Sequence, residues 1–392
     1  MVGKLRFLLL ACLGAALIWG VAPALSLTPY RPEAVDFTQP VPEVVELAGS
    51  GQGATARASA DGAAHGGDGP VRYVSPVIEA PERFDLAGIA GEMDSLEYRG
   101  RPEGGEWSPW TETSNGDPVY FGGADELQIR SRGVRPEGEL HYVNVSGTQT
   151  LASTVLNDVR SAVNSAVITV AATPLAEATP GAPSIVTRAE WGANLSDGGC
   201  PPRTGPSYGE VDAAVVHHTV SANDYTPEEA PGIVLGICRF HRNGNGWNDI
   251  GYNFLVDRFG TIYEGRAGGM TAAVVGAHAQ GFNSQTFGTA SIGTHTVEGV
   301  TDAARQAFAQ LIAWKLAISN TIAAGKTRLI SGGGSENKYP AGKRVRVRRV
   351  FGHGRVGKTV CPGAALKAQI KDIRHHAQAL IDQSAGGVPP SP

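Results

Sequence analysis

The chain has 392 residues, a formal net charge of −4 and an isoelectric point near 6.2. At this length two domains are the natural expectation, and an apolar content of 42% suffices for packed cores, which excludes a disordered chain. The slightly acidic balance excludes a protein that binds nucleic acid through a basic surface.

The N-terminal segment, residues 1–26, has the pattern of an export signal. Lys4 and Arg6 give it a positive start, an apolar run covers residues 7–21, and small residues follow before a cleavage point. Because the run is short for a membrane span, we expect a cleaved signal peptide, a mature chain with no stable membrane span, and a secreted or cell-envelope location. The residues before Cys12 also resemble a lipobox, and the alternative is a lipid anchor on that cysteine.

The next part of the chain changes composition three times. Residues 27–70 are rich in Pro, Gly, Ala and Ser, which predicts a flexible leader. In residues 71–147 short segments alternate apolar and polar side chains between Gly-Gly and Asn-Gly breaks, which predicts a small all-β sandwich. Residues 148–183 end in an Ala/Pro/Thr-rich stretch, and we expect a linker there.

From residue 184 to residue 385 the pattern is that of a compact α/β domain. Short apolar runs predict buried strands, and amphipathic spacing predicts helices at 227–242, 302–320 and 363–383. Strands that alternate with helices favour a mixed central β-sheet flanked by helices. Residues 386–392 are expected to form a disordered tail.

Cysteine counting points to one thiol with a special role. Without Cys12, an exported chain keeps Cys200, Cys238 and Cys361, and an oxidising setting should pair two of them. We predict a disulfide between Cys200 and Cys238 and a free Cys361 that binds a metal. The alternatives, a buried structural thiol at Cys361 or a different pairing, stay open on this count alone.

Histidines near that thiol strengthen the metal hypothesis. His353 lies eight positions before Cys361, and the Pro-Gly that follows the cysteine favours a loop. Imidazole and thiolate bind zinc well, and three protein ligands with one open position make a hydrolytic centre. The apolar run at 213–216 ends in His217 and His218, which places an imidazole at a strand end, a common position for functional groups.

Five ordered blocks between residues 184 and 385 resemble the peptidoglycan recognition protein family, which is related to phage-type N-acetylmuramoyl-L-alanine amidases. The blocks are IVTRAEWG (185–192), VVHHT (215–219), FHRNGNGWNDIGYNFLVDRFGTIYEGR (240–266), GAHAQGFN (276–283) and CPG (361–363). The resemblance implies that His217, His353 and Cys361 bind Zn²⁺. It also implies that Tyr252 lies beside the reacting water, and that Thr359 takes the position of a catalytic lysine in phage members.

Further site residues are interpreted from their place in these blocks. We assign His278, Trp247 and Asn253 to substrate binding; the alternatives are that His278 only braces a strand end and that Trp247 belongs to the core. His241, at the end of its helix, is interpreted as a capping group, and His218 as a packing residue.

The function implied by the resemblance is zinc-dependent hydrolysis of the amide between N-acetylmuramic acid and the L-alanine of the peptidoglycan stem peptide. The expected partners are peptidoglycan and muropeptides, with a monomer as the expected state. The alternative is a recognition protein that binds peptidoglycan without cleaving it. Two departures bear on activity: Gly354 and Arg355 stand where members commonly have Arg-Asp, so a carboxylate that could orient His353 is missing, and residues 288–299 are short and polar.

Overall fold

A computed structural model describes residues 35–47, 70–90, 96–113, 117–145 and 180–384. These residues all belong to one compact unit, Arg31–Pro392. The predicted signal peptide, Cys12, most of the leader and the linker, and the tail lie outside the described residues. Within the described ranges, no helix has the length and apolar character needed to cross a membrane.

The N-terminal part is rich in β-structure, as the sequence predicts. Its strands are all antiparallel and are hydrogen-bonded into one eight-stranded sheet, which differs from a sandwich of two separate sheets. The order is β1-β8-β4-β7-β3-β2, with β5 on the second half of β7 and β6 on β5. The strands are β1 Val35–Pro40, β2 Val45–Glu46, β3 Tyr73–Val74, β4 Ile78–Ile89, β5 Leu96–Arg101, β6 Thr111–Glu112, β7 Val119–Ser131 and β8 Glu139–Asn144.

The prediction of an unstructured leader is wrong for residues 35–46. β1 pairs with β8 over six residues, and β2 pairs with β3. Phe37 of β1 stacks on Tyr142 of β8 with ring centroids 4.9 Å apart, so the strand adds apolar contact as well as main-chain hydrogen bonds to the sheet edge.

The C-terminal part has a mixed six-stranded sheet, in the order β16-β10-β13-β11-β12-β9, and this confirms the predicted α/β class. β16, β10, β13 and β11 are parallel, and β12 is antiparallel to β11. A separate two-stranded sheet joins β14 and β15. The strands are β9 Ile185–Val186, β10 Ala213–His218, β11 Phe254–Val256, β12 Ile262–Glu264, β13 Thr286–Ser291, β14 Lys326–Ile330, β15 Arg344–Arg348 and β16 Val350–Gly352.

Helices cover both faces of the six-stranded sheet. The described helices are α1 Ala230–Arg239, α2 Asp302–Ile318 and α3 Ala364–Ser384, with a π-helical turn Phe240–Gly244 after α1 and short 3₁₀ turns at Asn283–Gln285 and His353–Arg355. α2 and α3 pack on one face of the sheet, and α1 packs on the other. β10 is buried on both faces, which explains why its sequence is a continuous apolar run.

The two parts share a core along α1. Leu86, Tyr120 and Val143 of the β-rich part belong to the same apolar cluster as the buried side chains of α1. A Cβ added at Gly236 of α1 would lie 2.3 Å from Leu86 Cδ1, so the glycine makes room for the leucine. This shared core fixes the β-rich part against the helix that precedes the candidate site.

Candidate metal centre

Neighbouring strands bring the three predicted ligands together. His217 lies near the end of β10, and His353 directly follows β16, which pairs in parallel with β10. Parallel strands place their carboxyl ends at the same edge of a sheet, so the two imidazoles meet there. The loop after the 3₁₀ turn returns Cys361 to the same edge, and the ligand atoms of all three residues lie within 4.8 Å of one another.

Side-chain alternation along β10 selects His217 rather than His218 for this site. Ala214 and Val216 face the core under α2 and α3, whereas Ala213 and Val215 belong to the cluster on the opposite face. Successive side chains of a strand point to opposite faces, so His217 continues the face of Val215.

Two glycines explain how the His353–Cys361 segment closes. The Gly354 N–H donates to the Cys361 carbonyl at 2.7 Å, and a Cβ at Gly354 would lie 2.8 Å from the Thr359 carbonyl oxygen. A Cβ at Gly357 would lie 2.6 Å from His353 Nε2. Glycine in the place of arginine at position 354 therefore has a local reason, since a larger residue would push the loop away from the site.

His278 contacts a candidate ligand. Its Nδ1 lies 3.1 Å from His217 Nε2, while His217 Nδ1 lies 3.7 Å from the Cys361 sulfur. A Cβ at Gly276 or Gly288 would approach the His278 ring to 2.5 or 2.4 Å, so two glycines make the space for this imidazole. His217 can therefore use Nε2 for His278 and keep Nδ1 for a metal, an arrangement that fixes the tautomer of a ligand histidine.

The charge states favour a divalent cation. Burial, with smaller contributions from His353 and His278, lowers the pKa of His217 well below its usual value, and burial lowers the pKa of His353 to about 3. Both imidazoles are therefore neutral and can act as ligands. Burial raises the pKa of the Cys361 thiol, so a thiolate here needs a cation beside it.

The donor set fits zinc in kind and in spacing. Ligands about 2.0–2.3 Å from a tetrahedral zinc lie roughly 3.3–3.7 Å apart, and the 3.7 Å between His217 Nδ1 and Cys361 Sγ matches that range. Two neutral imidazoles and one thiolate also leave one position open, the pattern of catalytic zinc sites.

A cavity of about 210 Å³ opens onto His217 and His353. Its other walls include Tyr252, Trp247 and His278, as well as His241, which the sequence analysis interpreted as a helix cap, and Asp117, which it did not single out. The Trp247 ring packs against the His241 ring with centroids 4.6 Å apart and the two planes tilted by 36°. The structure thus brings Tyr252, Trp247 and His278 to the cavity beside the candidate ligands.

Tyr252 is buried beside the first ligand. Its ring centroid is 5.3 Å from that of His217, and its hydroxyl donates to Asp117 Oδ2 at 2.7 Å. Burial, followed by the nearby Asp117 carboxylate, raises the pKa of Tyr252 well above its usual value. The phenol therefore keeps its proton.

Three of the predicted metal-binding, catalytic and substrate-binding residues do not line this cavity: Cys361, which is buried, Asn253 and Thr359. The Asn253 amide donates to the Val274 carbonyl and accepts from the Gly288 N–H, so it braces the main chain behind His278. The Thr359 hydroxyl accepts the Cys361 N–H at 3.0 Å and steadies the ligand loop. Roles for Asn253 in substrate binding and for Thr359 in catalysis stay predictions.

The predicted disulfide between Cys200 and Cys238 is present, which confirms that prediction, and Cys361 is free and buried. Cys238 belongs to α1, so the bridge ties this helix to the loop that contains Cys200. His241 does not act as a simple helix cap: its Nδ1 accepts the Gly251 N–H at 3.1 Å, and its Nε2 lies 2.8 Å from Asp117 Oδ1.

Comparison with known proteins places the same region in a family. A family model described as N-acetylmuramoyl-L-alanine amidase matches residues 207–364. Peptidoglycan-recognition protein SC2 of Drosophila simulans is 31% identical over 210 residues, which is 53% of this chain and 95% of that protein. The N-acetylmuramoyl-L-alanine amidase of Sus scrofa is 37% identical over 149 residues, 36% of this chain and 23% of that protein. The solved structure of an endolysin amidase from Clostridium intestinale is 27% identical, covers 49% of this chain and 94% of its own, and has a TM-score of 0.34.

The matched region holds the candidate ligands and every cavity-lining residue named above except Asp117. It forms a mixed sheet covered by helices, the domain class that the sequence blocks indicated. The chain belongs to the peptidoglycan recognition protein family, which includes N-acetylmuramoyl-L-alanine amidases.

Proposed function

We propose that this chain is a zinc-dependent N-acetylmuramoyl-L-alanine amidase. It would cleave the amide between the lactyl group of N-acetylmuramic acid and the L-alanine of the stem peptide, acting on peptidoglycan or its fragments outside the cytoplasm. The observation that carries the proposal is the convergence of two neutral imidazoles and one thiol, His217, His353 and Cys361, at a cavity walled by Tyr252. Relatives named as amidases support it.

The ligand set determines what a metal would add. His217, His353 and Cys361 would hold the zinc, which when bound would supply the Lewis acidity needed to activate water near neutral pH and to polarise an amide carbonyl. His278 orients the first of these ligands through its contact with His217 Nε2. The Thr359 hydroxyl accepts a hydrogen bond from the Cys361 N–H, and this contact helps to fix the position of the loop that contains the Cys361 sulfur.

The cavity walls determine where the substrate lies. Trp247 is half-buried and offers apolar surface at the rim, which suits the face of a sugar or the stem peptide. Tyr252 sits at the reacting end with its proton directed to Asp117, which leaves the lone pairs of its oxygen to accept a hydrogen bond from the attacking water. A protonated, buried phenol is suited to that task because it does not bring a negative charge to the cavity.

The test combines metal analysis with product analysis. We expect the purified mature protein to contain one zinc per chain and to release, from muropeptides, a free stem peptide with L-alanine at its N-terminus. Cys361→Ala and His353→Ala should lose the zinc and the cleavage together, because each removes a ligand. His375→Ala, which changes an exposed histidine of α3, is the control and should keep both.

Intact muropeptide after incubation with zinc-loaded protein would refute the amidase. If that protein still bound muropeptides, the result would instead support the alternative, a family member that recognises peptidoglycan without cleaving it.

A further inference from the structure

A carboxylate from the β-rich part lies in the cavity of the C-terminal part. Asp117 lies two residues before β7, is 5% exposed, and lines the cavity together with His217 and Tyr252. A buried carboxylate is costly unless its oxygens are hydrogen-bonded, so its partners indicate what it does there.

Both Asp117 oxygens accept hydrogen bonds from the C-terminal part. Oδ2 accepts the Tyr252 hydroxyl proton at 2.7 Å, and Oδ1 lies 2.8 Å from His241 Nε2. Because the Gly251 N–H donates to His241 Nδ1, that nitrogen has no proton, and Nε2 is the donor to Asp117. The partners are 135 and 124 residues away along the chain, so the contact depends on how the two parts pack.

The hydrogen bond sets the orientation of the Tyr252 hydroxyl. A phenol has one proton, and Tyr252 donates that proton in its hydrogen bond to Asp117, so the Tyr252 oxygen can only accept a hydrogen bond from a group in the cavity. We propose that Asp117 is a positioning residue of the site: it holds Tyr252 as an acceptor for the reacting water, and the β-rich part thereby completes the active site. This inference rests on the proposed amidase function.

The surrounding packing fixes the carboxylate relative to the tyrosine. Tyr120, three residues after Asp117, lies in the apolar cluster that the β-rich part shares with α1. A Cβ at Gly88 of β4 would lie 2.7 Å from the Phe240 ring, so the strand and the π-helical turn are in close contact. His241, the residue after Phe240, is therefore held beside Asp117 by direct contact between the two parts.

A second interdomain carboxylate offers a matched control. Asp36 of β1 accepts from Arg239 Nε at 2.8 Å, at the end of α1, and Asp36 does not line the cavity. Asp36 and Asp117 both belong to the β-rich part, and both contact the segment from α1 to the π-helical turn. Only Asp117 reaches Tyr252.

The test compares Asp117→Asn with Asp36→Asn in the full mature chain. Asparagine keeps one acceptor oxygen but replaces the other with an NH₂ donor, so it cannot accept from Tyr252 and His241 at once. Either the Tyr252 hydroxyl loses its acceptor, or the oxygen that accepts from it is no longer held in place by His241. We expect kcat on muropeptides to fall roughly 10- to 100-fold, the range for partners of active-site groups, with KM and zinc content unchanged. The kcat of Asp36→Asn should stay within about twofold of the wild-type value, because the ion pair that this variant loses lies outside the site.

A double-mutant cycle isolates the tyrosine. In a Tyr252→Phe background there is no hydroxyl to orient, so adding Asp117→Asn should change kcat by less than about twofold. Asp117→Glu, which keeps both acceptor oxygens, should recover part of the activity. A readout that does not depend on turnover is ¹⁵N NMR of the His241 imidazole. We expect the wild-type spectrum to show a proton on His241 Nε2, and we expect the resonance of this N–H group to shift in Asp117→Asn.

The outcomes separate the two proposals. If wild type cleaves muropeptides and Asp117→Asn matches Asp36→Asn, the positioning role is wrong and the amidase stands. A rise in kcat in Asp117→Asn, or an equal loss in wild-type and Tyr252→Phe backgrounds, would also overturn the positioning role. If the wild-type protein does not cleave muropeptides, the proposed amidase function is wrong. The positioning role, which depends on that function, is then wrong as well.

Discussion

The C-terminal part and the β-rich part meet at one cavity and contribute to it in different ways. The C-terminal part supplies three candidate ligands, and their spacing follows from the parallel register of β10 and β16 and from a short closed loop. The β-rich part supplies one carboxylate, Asp117, and its position follows from side-chain packing against α1.

The difference predicts that metal binding and turnover are separable. Substitutions at the candidate ligands, or at residues packed against them, should remove the metal and the activity together, because they alter the metal site itself. Changes at the contact between the two parts should lower turnover and leave the metal in place, because they act only through Asp117 and Tyr252. Two substitutions test this division.

The largest effect is expected from Gly357→Ala, a single added methyl group in the C-terminal part. The new Cβ would lie 2.6 Å from His353 Nε2, closer than such contacts allow, so the imidazole must move. We expect zinc affinity to fall by roughly 10- to 100-fold or more and amidase activity to fall with it. Competition with a chelator of known affinity measures the first quantity.

Gly205→Ala is the control for that substitution. Gly205 is exposed, and a Cβ there would meet nothing within 4 Å, so both zinc affinity and folding should be unchanged. Normal zinc affinity in Gly357→Ala would contradict the assignment of His353 as a ligand held in a closely packed position.

A smaller effect is expected from Leu86→Ala at the contact between the parts. Leu86 is fully buried in the shared cluster, and its removal leaves a cavity beside α1. A buried Leu→Ala change costs about 2–5 kcal/mol of unfolding free energy. We expect kcat to fall less than in Asp117→Asn, zinc to stay bound, and the amides of α1 to exchange faster with solvent.

Leu127→Ala separates this effect from general destabilisation. Leu127 is equally buried but belongs to the core of the β-rich part alone. This substitution should lower the free energy of unfolding by a similar amount, but the amide hydrogens of α1 should exchange with solvent at nearly the wild-type rate. Equal exchange rates in the two variants would show that Leu86 does not couple the parts.

The sequence was informative where chemistry depends on local spacing. His353 and Cys361 lie within one loop, and Cys361 was the odd thiol once Cys200 and Cys238 were paired. The strand that contains His217 was recognisable because it is buried on both faces and its first four residues, 213–216, are all apolar. These signals come from residues that are close together along the chain, so they can be recognised from the sequence alone.

The contacts that the sequence did not indicate are long-range. Asp117 follows a polar Ser-Asn-Gly sequence of the kind found in many exposed loops, and its partners are more than a hundred residues away. β1 was hidden within a Pro- and Gly-rich segment, because a short edge strand carries little pattern of its own. The Gly354-Arg355 pair had been interpreted only as the loss of a carboxylate, which members carry at the position of Arg355, whereas Gly354 itself has a steric role that appears only when the loop is closed against Cys361.

A crystal structure of the zinc-loaded mature protein, with data collected at the zinc absorption edge, tests the central claim most directly. The account predicts one anomalous peak about 2.0–2.3 Å from His217 Nδ1, one nitrogen of His353 and Cys361 Sγ. It also predicts that Asp117 bonds to Tyr252 and His241 in the same crystal. A peak at other residues, no peak, or an Asp117 carboxylate turned away from Tyr252 would contradict it.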